Sequence, residues 1–382
     1  MVYWYSISYM YYKLYTLKTR HKLHLLYILL LLLILLFLHQ YELRSRYIYQ
    51  LFHPLPDSIK PYIYNTPHTY ATNINNKQSA VIYYLIQSTR VNKLYKSLIS
   101  LHTYFNCHYG YPIILFMTGT DSEFEHRLQQ WIHSTLYTTK CMISAQSHPY
   151  NITIHHIQFA YPPGINISNV PAYDICSGHG IDYRHMCRFN AILLHNQPVL
   201  QQYIYYWRLD DDSKLLEPVM YDPFQYMSYN NITYGFNVIQ HDDIGCVIGL
   251  YQFTLNYIQS YSQQLHPYNF FHQWSFNTTH HIFYNNFELS TISFWQQSNV
   301  AQYLQLIDES YEIYYSRWGD APIKTQVLSM FTQPSDIHYF NDIIVVHHSS
   351  VTGAIDAENI WNKINKHDTT SIDMNRIQLS GV

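Results

Sequence analysis

Residues 203–215 read Tyr-Ile-Tyr-Tyr-Trp-Arg-Leu-Asp-Asp-Asp-Ser-Lys-Leu. The aromatic, β-prone run Tyr203 to Leu209 ends in three consecutive carboxylates, Asp210, Asp211 and Asp212, where the hydrophobic pattern stops. This is a strand that delivers an acidic cluster. At the end of an extended segment alternate residues share a face, so Asp210 and Asp212 point together while Asp211 points away. Hard oxygen ligands at that spacing suit Mg²⁺ or Mn²⁺. An Asp-X-Asp pattern alone is weak, because acidic triplets also occur in solvated turns.

Upstream, Ala80 to Gln87 (Ala-Val-Ile-Tyr-Tyr-Leu-Ile-Gln) is a continuous apolar run of strand length, as expected for a strand buried on both faces. Leu94, Leu98, Leu101 and Phe105 then form a helical stripe within residues 91–105. Tyr111 to Met117 reads as a second buried strand, Ser122 to Ser134 as an amphipathic helix, and Tyr150 to Ile157 as an alternating third strand. Strand alternating with helix predicts an α/β domain with a mostly parallel central sheet and right-handed crossovers. Ligands in such sheets bind beyond the carboxyl ends of the strands. Gln87 to Arg90 and the acidic cluster are therefore expected at one crevice. The chain has no Gly-X-Gly-X-X-Gly and no P-loop, so nothing supports a Rossmann dehydrogenase or a phosphate-cradling NTPase.

Further on, Asp222 to Ser228 predicts a short helix capped by Asp222 with Pro223 at its first position. Thr233 to Ile239 predicts a strand, and residues 248–263, 299–308 and 321–331 predict helices. Ile343 to Val346 predicts a closing strand that runs into His347 and His348.

The 382-residue chain is 48% hydrophobic with a net charge of -3, enough for a sizeable core and without the basic bias of a nucleic-acid partner. Its 41 Tyr and 24 His are spread along the whole length, so an individual Tyr or His says little about function. Leu23 to Leu38 is almost wholly apolar. At 1.5 Å per residue such a helix spans about 24 Å, adequate for a thin secretory-pathway membrane. Lys13, Lys18, Arg20 and Lys22 precede it, which places the N-terminus in the cytosol and the remainder in the lumen. No small-residue cleavage site follows, which favours an uncleaved anchor over a signal peptide. The expected organisation is a cytosolic segment 1–22, an anchor 23–40, a Pro-containing stem 41–78, a lumenal domain 79–350 and a polar tail 351–382. Lumenal exposure agrees with four glycosylation sequons, at Asn151, Asn166, Asn231 and Asn277. Of the five cysteines at most two pairs form, and which ones pair is not legible from their spacing.

Several blocks in order frame the acidic cluster: Tyr-Arg-His-Met-Cys-Arg-Phe (183–189), Tyr-Asp-Pro-Phe-Gln-Tyr-Met (221–227), Asn-Ile-Thr-Tyr-Gly-Phe (231–236), Asn-Phe-Glu (286–288), Arg-Trp-Gly-Asp-Ala-Pro (317–322) and Ser-Asp-Ile-His-Tyr-Phe-Asn (335–341). From about Ala80 to about His348 the chain resembles the fungal-type α-1,2-mannosyltransferases of glycosyltransferase family 15. The resemblance implies a GT-A-like nucleotide-sugar transferase fold. It also implies retaining transfer of mannose from GDP-mannose to a mannose-ending glycan, with Mn²⁺ or another divalent cation, in the Golgi or the endoplasmic reticulum. Two other readings stay open: a same-fold transferase with another donor or acceptor, and an inactive lumenal lectin-like protein.

The resemblance also implies site residues. Asp210 stands at the metal position, where many members carry Glu-Pro, and Asp212 or His347 completes the set, with His338 and His348 as rivals to His347. Glu288 matches the candidate nucleophile, although retention can also proceed by front-side attack without one. Tyr183, Arg184 and Arg188 resemble the donor-side wall. Arg208 joins them, or serves as counter-ion to Asp211. Gln87 stands where members often have Arg. Arg317, Trp318 and Asp320 resemble the acceptor side, and Cys187 is expected in the core or in a disulfide.

Overall fold

The structure, a computed structural model, describes residues 77–144, 148–174, 176–274, 276–347 and 350–351. The N-terminal segment, the apolar anchor run, the stem as far as Asn76 and the tail after Val351 lie outside the described residues. Among the described residues no helix is long and apolar enough to cross a membrane.

A seven-stranded sheet organises the molecule. Its strands are β1 (Ala80–Ile86), β2 (Ile113–Thr118), β3 (Ile152–Ile157), β4 (Tyr205–Leu209), β6 (Tyr234–Phe236), β9 (Phe287–Thr291) and β10 (Ile337–Tyr339), in the order β10-β6-β9-β4-β1-β2-β3. Strands β3, β2, β1 and β4 run parallel, as do β6 and β10, whereas β9 is antiparallel to both of its neighbours. Two small sheets complete the β-structure. In one, β11 (Val345–His347) lies between β5 (Lys214–Leu215) and β12 (Ser350–Val351); the other pairs β7 (Ile239–His241) with β8 (His281–Phe283).

The pleat of β1 explains its unbroken hydrophobicity. Val81 and Tyr83 enter one core, while Ile82 and Tyr84 enter the other, so both faces of the sheet are covered. Helices α1 (Val91–Leu101) and α2 (Ser122–Trp131) follow β1 and β2, and each buries the stripe its sequence carries. Helix α3 (Ile181–Arg188) precedes β4. The expected strand 233–239 breaks into β6 and β7 around Asn237. Gly235 in β6 has a steric reason: a Cβ there would sit 2.3 Å from the Phe340 ring. Helices α4 (Pro223–Tyr229), α5 (Leu250–Tyr261), α6 (Ser298–Ser310) and α7 (Asp320–Phe331) complete the second half. Cys107 pairs with Cys141 and Cys176 with Cys246, leaving Cys187 as a buried free thiol.

Candidate active site

The carboxyl ends of β1, β2 and β4 open onto a cleft of about 550 Å³. Its floor is the acidic turn after β4. Ser213 N–H closes the turn onto the Asp210 carbonyl at 2.9 Å, and Ser97 of α1 holds the Ser213 carbonyl from below. Asp211 swings away from its neighbours and takes two hydrogen bonds from Arg90, at 2.6 and 2.5 Å. Burial pushes the Asp211 carboxyl up, and the Arg90 hydrogen bonds oppose that shift.

His347 returns to this turn because β11 pairs with β5, the strand that immediately follows the acidic cluster. Its Nε2 lies 3.1 Å from Asp212 Oδ1 and 3.5 Å from Asp210 Oδ2. Tyr284 Oη lies 3.0 Å from the opposite ring nitrogen, Nδ1. A partner on the far nitrogen fixes ring orientation, as it does for metal-bound imidazoles. His347 thus lies between the two carboxylates, and this set of oxygen and nitrogen donors is of the kind that suits a divalent ion of the Mn²⁺ type. His338, the sequence rival, is held between the Tyr226 and Phe340 rings, and burial lowers it to about 4. His348 lies outside the described residues. Asp174, Cys176 and Cys246 also bring ligand atoms together, but the two sulfurs are bonded to each other.

Arg208 is shared between Asp210, at 3.2 Å, and Asp320, at 2.5 Å; the Asp211 counter-ion is Arg90 instead. Burial alone would raise Asp320, but Arg208, Lys324 and Asn285 together outweigh it and hold the carboxyl low. At the far end Arg317 adopts φ 62, a costly backbone for a large side chain and one that accumulates at functional sites. Its Nη2 donates to Tyr183 Oη at 3.0 Å, and its Nη1 lies 3.7 Å from Asp242 Oδ1. His179 stacks on the Tyr183 ring at 4.2 Å. Burial pushes Asp242 up, with Arg317 opposing.

Eight of the residues singled out in the sequence therefore line one cleft: Gln87, Tyr183, Arg208, Asp210, Asp212, Arg317, Asp320 and His347. Four do not. Arg184 and Arg188, four apart, share one side of α3, and it is turned away from the side that carries Tyr183, since adjacent helical residues point about 100° apart. Arg184 donates to the carbonyls of Tyr314, Pro171 and Ala172, and Arg188 grips Asp308 with two bonds. Both are occupied by the fold rather than facing a donor. Trp318 donates to the Ile248 carbonyl and packs edge-on against Phe253, so its face is not offered to a sugar. Glu288 is fully buried behind the cleft wall, accepting from Tyr206 Oη and from Lys324 Nζ. Arg90, Asp242, Tyr284 and Asn285 line the cleft without having been singled out as site residues. Only Arg90 carried a signal, from its place at the end of the first strand.

The fold has solved counterparts. The mannosyltransferase Ktr4p of Saccharomyces cerevisiae in complex with GDP superposes with a TM-score of 0.66 at 21% identity, covering 79% of this chain and 84% of that one. Core-mannan synthase A (CmsA/Ktr4) of Aspergillus fumigatus, in its Mn/GDP form, gives 0.63 at 23% identity over 71% and 75% of the two chains. In sequence, the O-glycoside α-1,2-mannosyltransferase omh1 of Schizosaccharomyces pombe is 28% identical over 291 residues, 72% of this chain and 70% of that protein. Glycolipid 2-α-mannosyltransferase 2 of Candida albicans is 28% identical over 284 residues, but the chain spans only 59% of its length. A profile of the glycolipid 2-α-mannosyltransferases matches residues 57–379. The chain therefore belongs to this family, the α-1,2-mannosyltransferases of glycosyltransferase family 15, and is a glycosyltransferase.

Proposed function

We propose that the cleft transfers mannose from GDP-mannose to the 2-hydroxyl of a mannose-ending glycan, with retention of the α configuration. The observation that carries the reading is the convergence of Asp210, Asp212 and His347 at the carboxyl end of β4, in a chain of this family. A divalent ion held by these three residues would offset charge on the departing diphosphate. Gln87 and Arg90, at the end of β1, border the donor end of the cleft. Arg90 is already shared with Asp211 and Asp212, so its first role is to hold the acidic turn in shape. Tyr183, expected on the donor side, is bonded to Arg317, and we assign it with Arg317, Asp320 and Asp242 to the acceptor end, offering carboxylate acceptors and a guanidinium donor to sugar hydroxyls.

The two disulfides support folding in an oxidising compartment. With the basic-flanked apolar run 23–38 in the expected anchor 23–40, they fit a type II protein of the Golgi or endoplasmic reticulum membrane with a lumenal domain.

Purified protein incubated with GDP-mannose and α-methyl mannoside should release GDP with Mn²⁺ and stop when chelator is added. Tight GDP-mannose binding without turnover on any mannose-ending acceptor would favour an inactive, glycan-binding protein.

A further inference from the structure

Helix α7 carries Asp320 and Lys324 one turn apart, so both side chains leave the same face. The sheet beneath carries the complementary pair. Arg208 on β4 lies directly across from Glu288 on β9 in the antiparallel register, where side chains project on one face about 5 Å apart. Asp320 meets Arg208 at 2.5 Å and Lys324 meets Glu288 at 2.6 Å. All four residues are 4% exposed or less. Two negative and two positive charges thus cross between helix and sheet, and a one-turn slip of α7 would break both pairs.

The Lys324–Glu288 half has no outlet to the cleft. Lys324 Nζ is caged by the Trp295 and Tyr206 rings at 5.0 and 5.8 Å. Tyr206 Oη donates to the same Glu288 oxygen that Lys324 holds, and the second oxygen, Oε2, is buried without a hydrogen-bond partner. The other half is part of the cleft itself: Arg208 holds Asp210, and Gly319 to Pro322 form its wall. A buried ion pair is a poor source of stability but breaking one side of it is costly, and its best-attested use is to fix register.

We propose that Lys324 and Glu288 are positioning residues, the deep half of a four-charge lock that sets α7 against the sheet and thereby places Asp320, Arg208 and Asp210. Glu288 then acts through its neighbours and does not touch the sugar. The inference rests on the proposed transfer reaction for its turnover readout alone, because Mn²⁺ affinity reads the lock without any donor or acceptor.

The test compares the full chain with Glu288→Gln, Lys324→Met and the double variant Glu288→Leu/Lys324→Met, by Mn²⁺ titration, thermal unfolding and GDP release. Each single change should weaken Mn²⁺ binding by roughly 10- to 100-fold, the range for residues that orient metal ligands. The double change, which removes both charges together, should bring Mn²⁺ affinity and turnover back to within about tenfold of the parent. A double variant that binds Mn²⁺ like the parent yet is as inactive as Glu288→Gln would make Glu288 the group that reacts with the sugar and overturn the proposal. Parental Mn²⁺ affinity in both single variants would overturn the lock. Should the double variant not fold, Lys324→Arg decides: it keeps the charge and should bind Mn²⁺ within about threefold of the parent, and a loss equal to that of Lys324→Met contradicts the proposal. A parent chain that binds Mn²⁺ but transfers no mannose sinks the transfer reading and leaves the lock to be judged by Mn²⁺ affinity.

Discussion

The three consecutive aspartates have two different tasks, and the turn that carries them separates those tasks. Asp210 and Asp212 share His347, whereas Asp211 is spent on Arg90. Asp210→Ala and Asp212→Ala should therefore each reduce Mn²⁺ affinity and turnover by about 100-fold or more, while Asp211→Asn should change them far less and act chiefly on thermal stability. Equal losses of Mn²⁺ binding in all three would deny this division. The pairing of Asp210 with Asp212 was legible, but the backbone delivers it through a turn, closed by Ser213 N–H on the Asp210 carbonyl, and not through an extended segment. His347 was legible only through the family resemblance, since nothing local distinguishes it from His338 in a His-rich chain. The structure separates the two by environment. His338 is lowered to about 4 by burial, against about 6.5 in an unfolded chain. Its contribution to stability is thus complete above pH 6.5 and is lost as the pH falls toward 4. Asp222, raised to about 6 by burial, works oppositely: its contribution is present below pH 3.8 and is lost as the pH rises through about 6. The comparison of parent with His338→Phe isolates the first effect. Between pH 7 and pH 5 the parent should lose on the order of 2 kcal/mol more than the variant, measured by denaturant unfolding at each pH.

Among the elements, long periodic segments carry a signal of their own in the sequence, and short ones depend on tertiary pairing. The stripe of Leu94, Leu98 and Leu101 and the capped start at Asp222 produced helices where expected, because each carries its own signal. Helix α3 carries none that stands out, so its seven-residue motif read as one wall. As a helix it has two faces, and only that of Tyr183 meets the cleft. Strand β9 is short and antiparallel in a mostly parallel sheet, a placement that only tertiary pairing defines. The cap at Asp222 accepts from Phe224 N–H at 2.9 Å and also from Tyr111 Oη. Asp222→Ala should accordingly cost about 2 kcal/mol or more in an unfolding titration, the loss of a cap plus a buried hydroxyl left unpaired. The Cys176–Cys246 disulfide ties together two rim segments, one leading to His179 and the other following Asp242. Replacing both cysteines with Ser should lower stability by about 2–4 kcal/mol and raise the KM for acceptor more than it changes kcat. An unchanged acceptor KM would mean that the rim keeps its shape without the bridge.

At the scale of the whole molecule, the order of strands and helices in residues 80–157 was sufficient for the class of fold, because parallel strands require helical crossovers of that length. The same ordering put the end of β1 and the acidic turn of β4 at one cleft, where both are found. What local sequence did not disclose is the buried charge arrangement of Arg208, Glu288, Asp320 and Lys324, whose members lie up to 116 positions apart, from Arg208 to Lys324, and meet only when α7 docks on the sheet. Family membership and cleft geometry together lead to mannosyl transfer, and the linkage of the product reports on it. The chain would be incubated with GDP-mannose, α-methyl mannoside and Mn²⁺, and the disaccharide analysed by proton NMR. A single α-1,2-linked dimannoside should form only with the metal and disappear in Asp210→Ala. A β-linked product, or a product formed equally well under chelation, would contradict it.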